Sequence, residues 1–190
     1  MSSQPESYLT PEEYLAIERQ SETKHEYFKG EVFAMVGASR KHNLIAGNIF
    51  GELRQKLKGK PCEAYTNDMR VRIPAMGLYT YPDVVVVRGE PKFEDEYVDT
   101  LLNPTLVVEV LSDSTESYDR GKKAGFYRLI ESVAEYLLVS QDEDRVEQYV
   151  KQADGRWLLT DIRSPEGTAE LAFLQCALPM KEIYSRVSFS

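Results

Sequence analysis

The sequence predicts an α/β fold, a mixed central β-sheet flanked by helices and followed by extra antiparallel strands near the C-terminus. Three observations carry the prediction. Tyr81-Pro82-Asp83-Val84-Val85-Val86-Val87 and Thr105-Leu106-Val107-Val108-Glu109-Val110-Leu111 are near-continuous apolar runs rich in β-branched residues. Such runs mark strands buried on both faces beneath helices. Ile45, Ile49, Leu53 and Leu57 recur every four residues, which is the apolar stripe of a helix. Beyond Ser140, short amphipathic segments alternate with turn signals at Asp154-Gly155 and Pro165-Glu166-Gly167.

The elements follow in order. Thr10-Pro11-Glu12-Glu13 opens a short helix, with a threonine N-cap, proline at the first helical position and glutamate three residues on; it ends near Arg19–Gln20. Lys24 to Phe28 and Glu31 to Val36 form a hairpin turned at Lys29-Gly30. The striped helix ends at Gly59. Ala64 to Ile73 is a strand, Tyr118 to Ile130 a helix and Ala134 to Ser140 a further buried strand. Arg145–Lys151, Trp157–Arg163 and Glu170–Phe173 are the final strands.

Composition sets outer bounds. With 190 residues, 42% of them hydrophobic and 11% aromatic, residues 1–190 suit one domain with a full core, and disorder is excluded. Residues 1–7 read as a flexible tail, without the basic start and apolar stretch of a signal peptide. No apolar run reaches the ~18 residues of a membrane span, so a cytoplasmic protein without membrane contact is expected. Two cysteines and two histidines are too few for a disulfide framework or a Cys/His metal cluster. The net charge of −8 argues against a uniformly basic nucleic-acid binder, but local basic clusters occur at Arg54–Lys60 and Arg120–Arg128.

Candidate chemistry starts with Glu109. A lone ionised carboxylate inside an apolar strand is so costly that it must be protonated, paired or bound to a cation. Asp83 stands at the mouth of the other apolar strand, and if the two strands are neighbours both acids can reach one hard cation. Lys123 falls near the centre of the apolar face set by Phe126, Tyr127 and Ile130, whereas Lys122 falls at its edge. Glu26 is a further acid candidate, and His42 lies one turn before Ile45 on the striped helix. Two carboxylates and a lysine match the needs of phosphodiester hydrolysis: a held cation, and a positive charge facing the transition state.

These segments resemble the Uma-type family of putative restriction endonucleases, grouped with the PD-(D/E)XK nuclease superfamily. The likeness is carried by Tyr8-Leu9-Thr10-Pro11-Glu12-Glu13-Tyr14, Glu26-Tyr27-Phe28-Lys29-Gly30-Glu31, Tyr81-Pro82-Asp83, Val107-Val108-Glu109-Val110-Leu111-Ser112, Tyr118-Asp119-Arg120-Gly121-Lys122-Lys123 and Glu135-Tyr136-Leu137-Leu138-Val139. It spans residues 8–178 and implies a restriction-endonuclease-like domain cleaving DNA with Mg²⁺, or Mn²⁺ as a substitute. It also implies Asp83 and Glu109 as the two motif acids and metal ligands, and Glu26 as the early acid. Two residues after Glu109, where the motif has lysine, stands Leu111. The resemblance therefore implies a lysine delivered from the following helix, Lys123. A catalytically degenerate module binding nucleic acid or a protein partner is the alternative, and a homodimer is compatible with either.

Overall fold

The computed structural model describes residues 8–112 and 116–189. Its centre is a six-stranded sheet, and the apolar runs occupy the middle of it. Strand β6 (Val84–Arg88) pairs antiparallel with β8 (Leu106–Val110), and β8 pairs in parallel with β9 (Glu135–Val139). The strands β10 (Val146–Lys151) and β11 (Trp157–Ile162) extend the sheet beyond β9, and β3 (Cys62–Thr66) closes the other edge. Val84 to Val87 and Leu106 to Val108 are all fully buried, as strands covered on both faces require.

The two faces are covered differently. On one lies α2 (Arg40–Lys56), whose Ile45, Ile49 and Leu53 stripe packs on Val84, Val86 and Val108. The same core takes Leu171 and Leu178 of the small antiparallel pair β12 (Thr168–Leu171) and β13 (Cys176–Pro179), together with α5 (Met180–Ile183). On the other face, Val85, Val107 and Leu138 pack against Ile73, Leu78 and Tyr127.

Ile73 and Leu78 belong to a second sheet that the sequence did not disclose. Its five strands run in the order β2 (Glu31–Ala34), β1 (His25–Phe28), β5 (Leu78–Thr80), β4 (Arg70–Ile73) and β7 (Thr100–Leu101). The predicted strand Ala64 to Ile73 is accordingly divided. A turn at residues 67–69 sends its first half to the central sheet as β3 and its second half to the other sheet as β4. The reverse crossing takes only Tyr81-Pro82-Asp83, between β5 and β6. Outside the second sheet, α1 (Pro11–Glu18) carries the expected capping box and buries Tyr14 against Tyr27 and Tyr79.

The predicted helix Tyr118 to Ile130 is also broken up. Glu116–Tyr118 (α3) and Ala124–Tyr127 (α4) are joined by a π-helical turn over Asp119–Lys123. Among the described residues, no helix is long and apolar enough to cross a membrane.

Candidate active site

The crossing between the sheets decides where the acids lie. Val84 pairs with Val108 in an antiparallel register, so Asp83 and Glu109 are the next opposed positions and share the face of Val85 and Val107. Asp83 has left the strand, and its carboxylate replaces the missing backbone partner: the Val110 N–H donates to Asp83 Oδ2 at 2.7 Å. His42, in the first turn of α2, places Nε2 3.2 Å from the same oxygen. Burial disfavours a charged His42, but the Asp83 bond and charge, the Val110 carbonyl and Asp119 outweigh it and hold its pKa above the ordinary value.

Lys123 enters from the opposite side. Its ammonium lies 3.0 Å from Glu109 Oε1, 3.0 Å from Glu26 Oε1 and 3.8 Å from Asp119 Oδ1. The side chain is buried, whereas Lys122 is exposed, as the helical-face argument requires. Glu26 is brought in by the second sheet. The β1–β5 register sets it opposite Thr80, whose hydroxyl donates to Glu26 Oε1. The Tyr127 hydroxyl donates to Glu109 Oε1 at 2.8 Å. Leu111, at the position of the motif lysine, is buried in the apolar core with Tyr127 and Ala124. The helix, not the strand, supplies the ammonium.

The electrostatics follow from crowding. Burial, opposed by Lys123 and reinforced by Asp119, Asp83 and Glu26, pushes Glu109 up to about 8. Burial works against a charged Lys123, but Glu109, Glu26 and Asp119 overcome it and hold its pKa well above the ordinary value. Both directions say that the cavity retains protons, the response of several carboxyl groups sharing one ammonium.

A hard divalent cation fits this donor set. Oxygen donors and an excess of negative charge are its requirements, and Mg²⁺ commonly takes one or two carboxylates and keeps waters for the rest. Among the described residues, no three His, Cys, Asp or Glu side chains form a ready-made metal cage. Two carboxylates completed by water and a phosphate oxygen is the arrangement these residues can offer.

All four sequence-derived candidates, Asp83, Glu109, Lys123 and Glu26, line one cavity of about 1010 Å³, and His42 lines it too. The Arg54–Lys60 cluster does not. Lys60 is spent on the carbonyls of Leu174 and Gln175, and Lys56 pairs with Glu52. Thr80 and Tyr127 were not singled out from the sequence. Tyr127 looked like part of an apolar stripe, although its spacing of four from Lys123 puts its hydroxyl in reach of the same carboxylate. Thr80 had no signal, since its role depends on the β1–β5 register.

Comparison with known proteins gives a consistent picture. The Uma2 family, described as "Putative restriction endonuclease", matches residues 11–181. An uncharacterized protein of Synechocystis is 40% identical over 167 residues, covering 88% of this chain and 94% of that one. A second uncharacterized Synechocystis protein is 36% identical over 187 residues, covering 98% and 97%. The crystal structure of a putative nuclease belonging to DUF820 from Anabaena variabilis superimposes with a TM-score of 0.77. It covers 95% of this chain and 99% of that one at 18% identity, a likeness of fold alone.

Proposed function

The chain belongs to the Uma2 family of putative restriction endonucleases, and on that premise we propose that it hydrolyses DNA phosphodiester bonds with the help of a divalent cation, Mg²⁺ or Mn²⁺. Family and fold both support a nuclease function. The observation that carries the finer reading is the ammonium of Lys123, 3.0 Å from Glu109 and from Glu26, beside the opposed pair Asp83 and Glu109.

Asp83 and Glu109 would hold the cation. When bound, it supplies a water of lowered pKa and a Lewis acid for a phosphate oxygen. Val110 N–H and Tyr127 O–H each hold one oxygen of the two carboxylates. Thr80 fixes Glu26, which accepts from the ammonium, so that Lys123 meets the extra negative charge of the transition state without reorganising. No histidine base is needed, since Lys123 can orient the attacking water through its third N–H. A non-catalytic binding module is the competing reading, and Leu111 at the motif lysine position favours it.

Plasmid, single-stranded DNA and RNA incubated with Mg²⁺, Mn²⁺ or a chelator separate the two. The nuclease reading expects metal-dependent cleavage, a loss of about 10²–10³ in rate for Lys123→Ala, and an unchanged rate for Arg156→Ala on the exposed β10–β11 turn. A second readout is thermal: Mg²⁺ at a hundredfold excess over Kd adds ~2.7 kcal/mol to the folded state. That gain should raise the wild-type melting temperature and vanish in Asp83→Asn. A folded wild type that neither cleaves nor is stabilised by metal overturns the nuclease reading.

A further inference from the structure

The cavity holds more than the acids and the lysine. Its outer wall is apolar and aromatic: Phe28 at the end of β1 stacks on Phe126 of α4, with ring centroids 5.8 Å apart and planes 21° apart. Facing solvent on β2 and the segment after it, Phe33 is 49% exposed and Val36 82% exposed, and both line the same cavity. Lysines border these surfaces. Lys29 Nζ lies 5.4 Å from the Phe28 ring centroid and Lys24 Nζ 5.7 Å from that of Tyr81, while Lys122 is exposed at the mouth. Lys24 also touches Asp68 at 2.9 Å, an exposed pair that is cheaply exchanged for another anion.

We propose that this wall receives the unstacked bases of a single-stranded nucleic-acid segment, next to the bond that the acids and Lys123 address. The inference deepens the nuclease reading and rests on it for the identity of the reacting bond. Paired bases in a duplex show only their edges, which are read through hydrogen bonds in the grooves. The side chains of Phe33 and Val36 offer no such bonds. Ring faces flanked by cations are what bases stack on when the strand is unpaired, with the lysines following the phosphates. Size agrees: about 1010 Å³ lies at the top of the ~300–1,000 Å³ range of pockets that enclose a small ligand. That is room for a short run of nucleotides. Charge agrees as well. A duplex carries one charge per ~1.7 Å of axis, so a long contact is opposed by a chain of net charge −8. A short contact at a lysine-edged mouth is not.

Fluorescence anisotropy in chelator, with a labelled deoxyoligonucleotide of about 12 residues and its duplex, tests this. The single strand should bind at least about tenfold tighter, a difference of ~1.4 kcal/mol. Phe33→Ala should weaken single-strand binding by roughly 5- to 150-fold, the range for losing one stacked base, and leave duplex binding unchanged. Phe33 is exposed, so the variant should fold; Val36→Ser, more exposed still, is the second variant and should act in the same direction. Equal or tighter duplex binding, or two variants indistinguishable from wild type, overturns the proposal. So does sedimentation velocity showing that Phe33→Ala dissociates a dimer, because a second copy would then own the wall. A single-strand preference without metal-dependent cleavage sinks the nuclease reading and leaves the subsite standing. Efficient metal-dependent cleavage of duplex without that preference does the reverse.

Discussion

Glu109 is the residue on which the energetics of the site turn. Burial on a central strand raises its proton affinity most; Lys123 opposes that, and Asp119, Asp83 and Glu26 add to it. Its folded pKa of about 8 lies above the ordinary 4.5. The folded protein therefore binds this proton more tightly than the unfolded chain does. The resulting stability is fully present below 4.5 and is lost as pH rises through about 8. In chelator, the wild-type melting temperature should fall between about pH 5 and about pH 9, and Glu109→Gln should fall less steeply. Glu135, at the far end of β9, is also raised, to about 7; burial drives it up against the amides of Phe173 and Ala172. Its slope is common to both proteins, so the difference between the two curves isolates Glu109. Parallel curves would show that Glu109 is ionised and fully compensated by Lys123.

At the scale of elements, the β1–β2 hairpin holds Glu26 in place. Its turn has positive φ at both central residues, Lys29 at 49° and Gly30 at 100°, the geometry that suits a two-residue hairpin loop. A Cβ on Gly30 would also stand 2.7 Å from the Tyr8 side chain. Gly30→Ala should cost more than about 1 kcal/mol and should loosen the hairpin before the central sheet. Hydrogen exchange checks this: the amides of Glu26 and Phe33, which face each other across the hairpin, should exchange faster while those of Val107 and Val108 stay protected. Unchanged protection at Glu26 would mean that packing against β5 alone holds the strand. The π-helical turn Asp119–Lys123 is the other element with local irregularity, and such turns are frequent at functional sites. It brings Asp119 and Lys123 into the same buried space, where a regular amphipathic helix had been expected.

At the scale of the whole molecule, a second polar network ties α1 to the second sheet and to the crossing that carries Asp83. Arg70 is 3% exposed; its Nη1 donates to the Tyr81 hydroxyl at 2.8 Å and its Nε to Thr100 Oγ1 at 2.9 Å. Its Nη2 lies 3.0 Å from Asp99 Oδ1, within ion-pair range but without hydrogen-bond alignment. Tyr81 in turn donates to Glu18 Oε1 at 2.9 Å, and Glu18 holds His25 beside Glu26. Removing one partner of a buried charged network costs about 3–5 kcal/mol. For a chain of this size each kcal/mol is ~2–4 °C. Arg70→Met should therefore lower the melting temperature by roughly 6–20 °C in calorimetry. A fall of under about 2 °C would mean that the network adds nothing beyond the apolar core around it.

What is local or periodic in this fold could be read from the residues alone. The capping box of α1, the stripe of α2, the doubly buried strands β6 and β8, and the out-of-place charges Glu109 and Lys123 were all visible in the sequence, because each violates or satisfies a rule over a few residues. Asp83, Glu109, Lys123 and Glu26 could thus be named without coordinates. How they meet was not legible there. The second sheet exists because residues 67–69 turn the chain out of one sheet and Tyr81 to Asp83 turn it back into the other, and no periodicity records such an exchange. The contact of Glu26 with Thr80 and the stacking of Phe28 on Phe126 depend on segments tens of residues apart, and the Tyr127 hydroxyl reaches Glu109 from the next helical segment along. Side-chain chemistry is written in the sequence, whereas which groups share one low-dielectric cavity is set by long-range strand pairing.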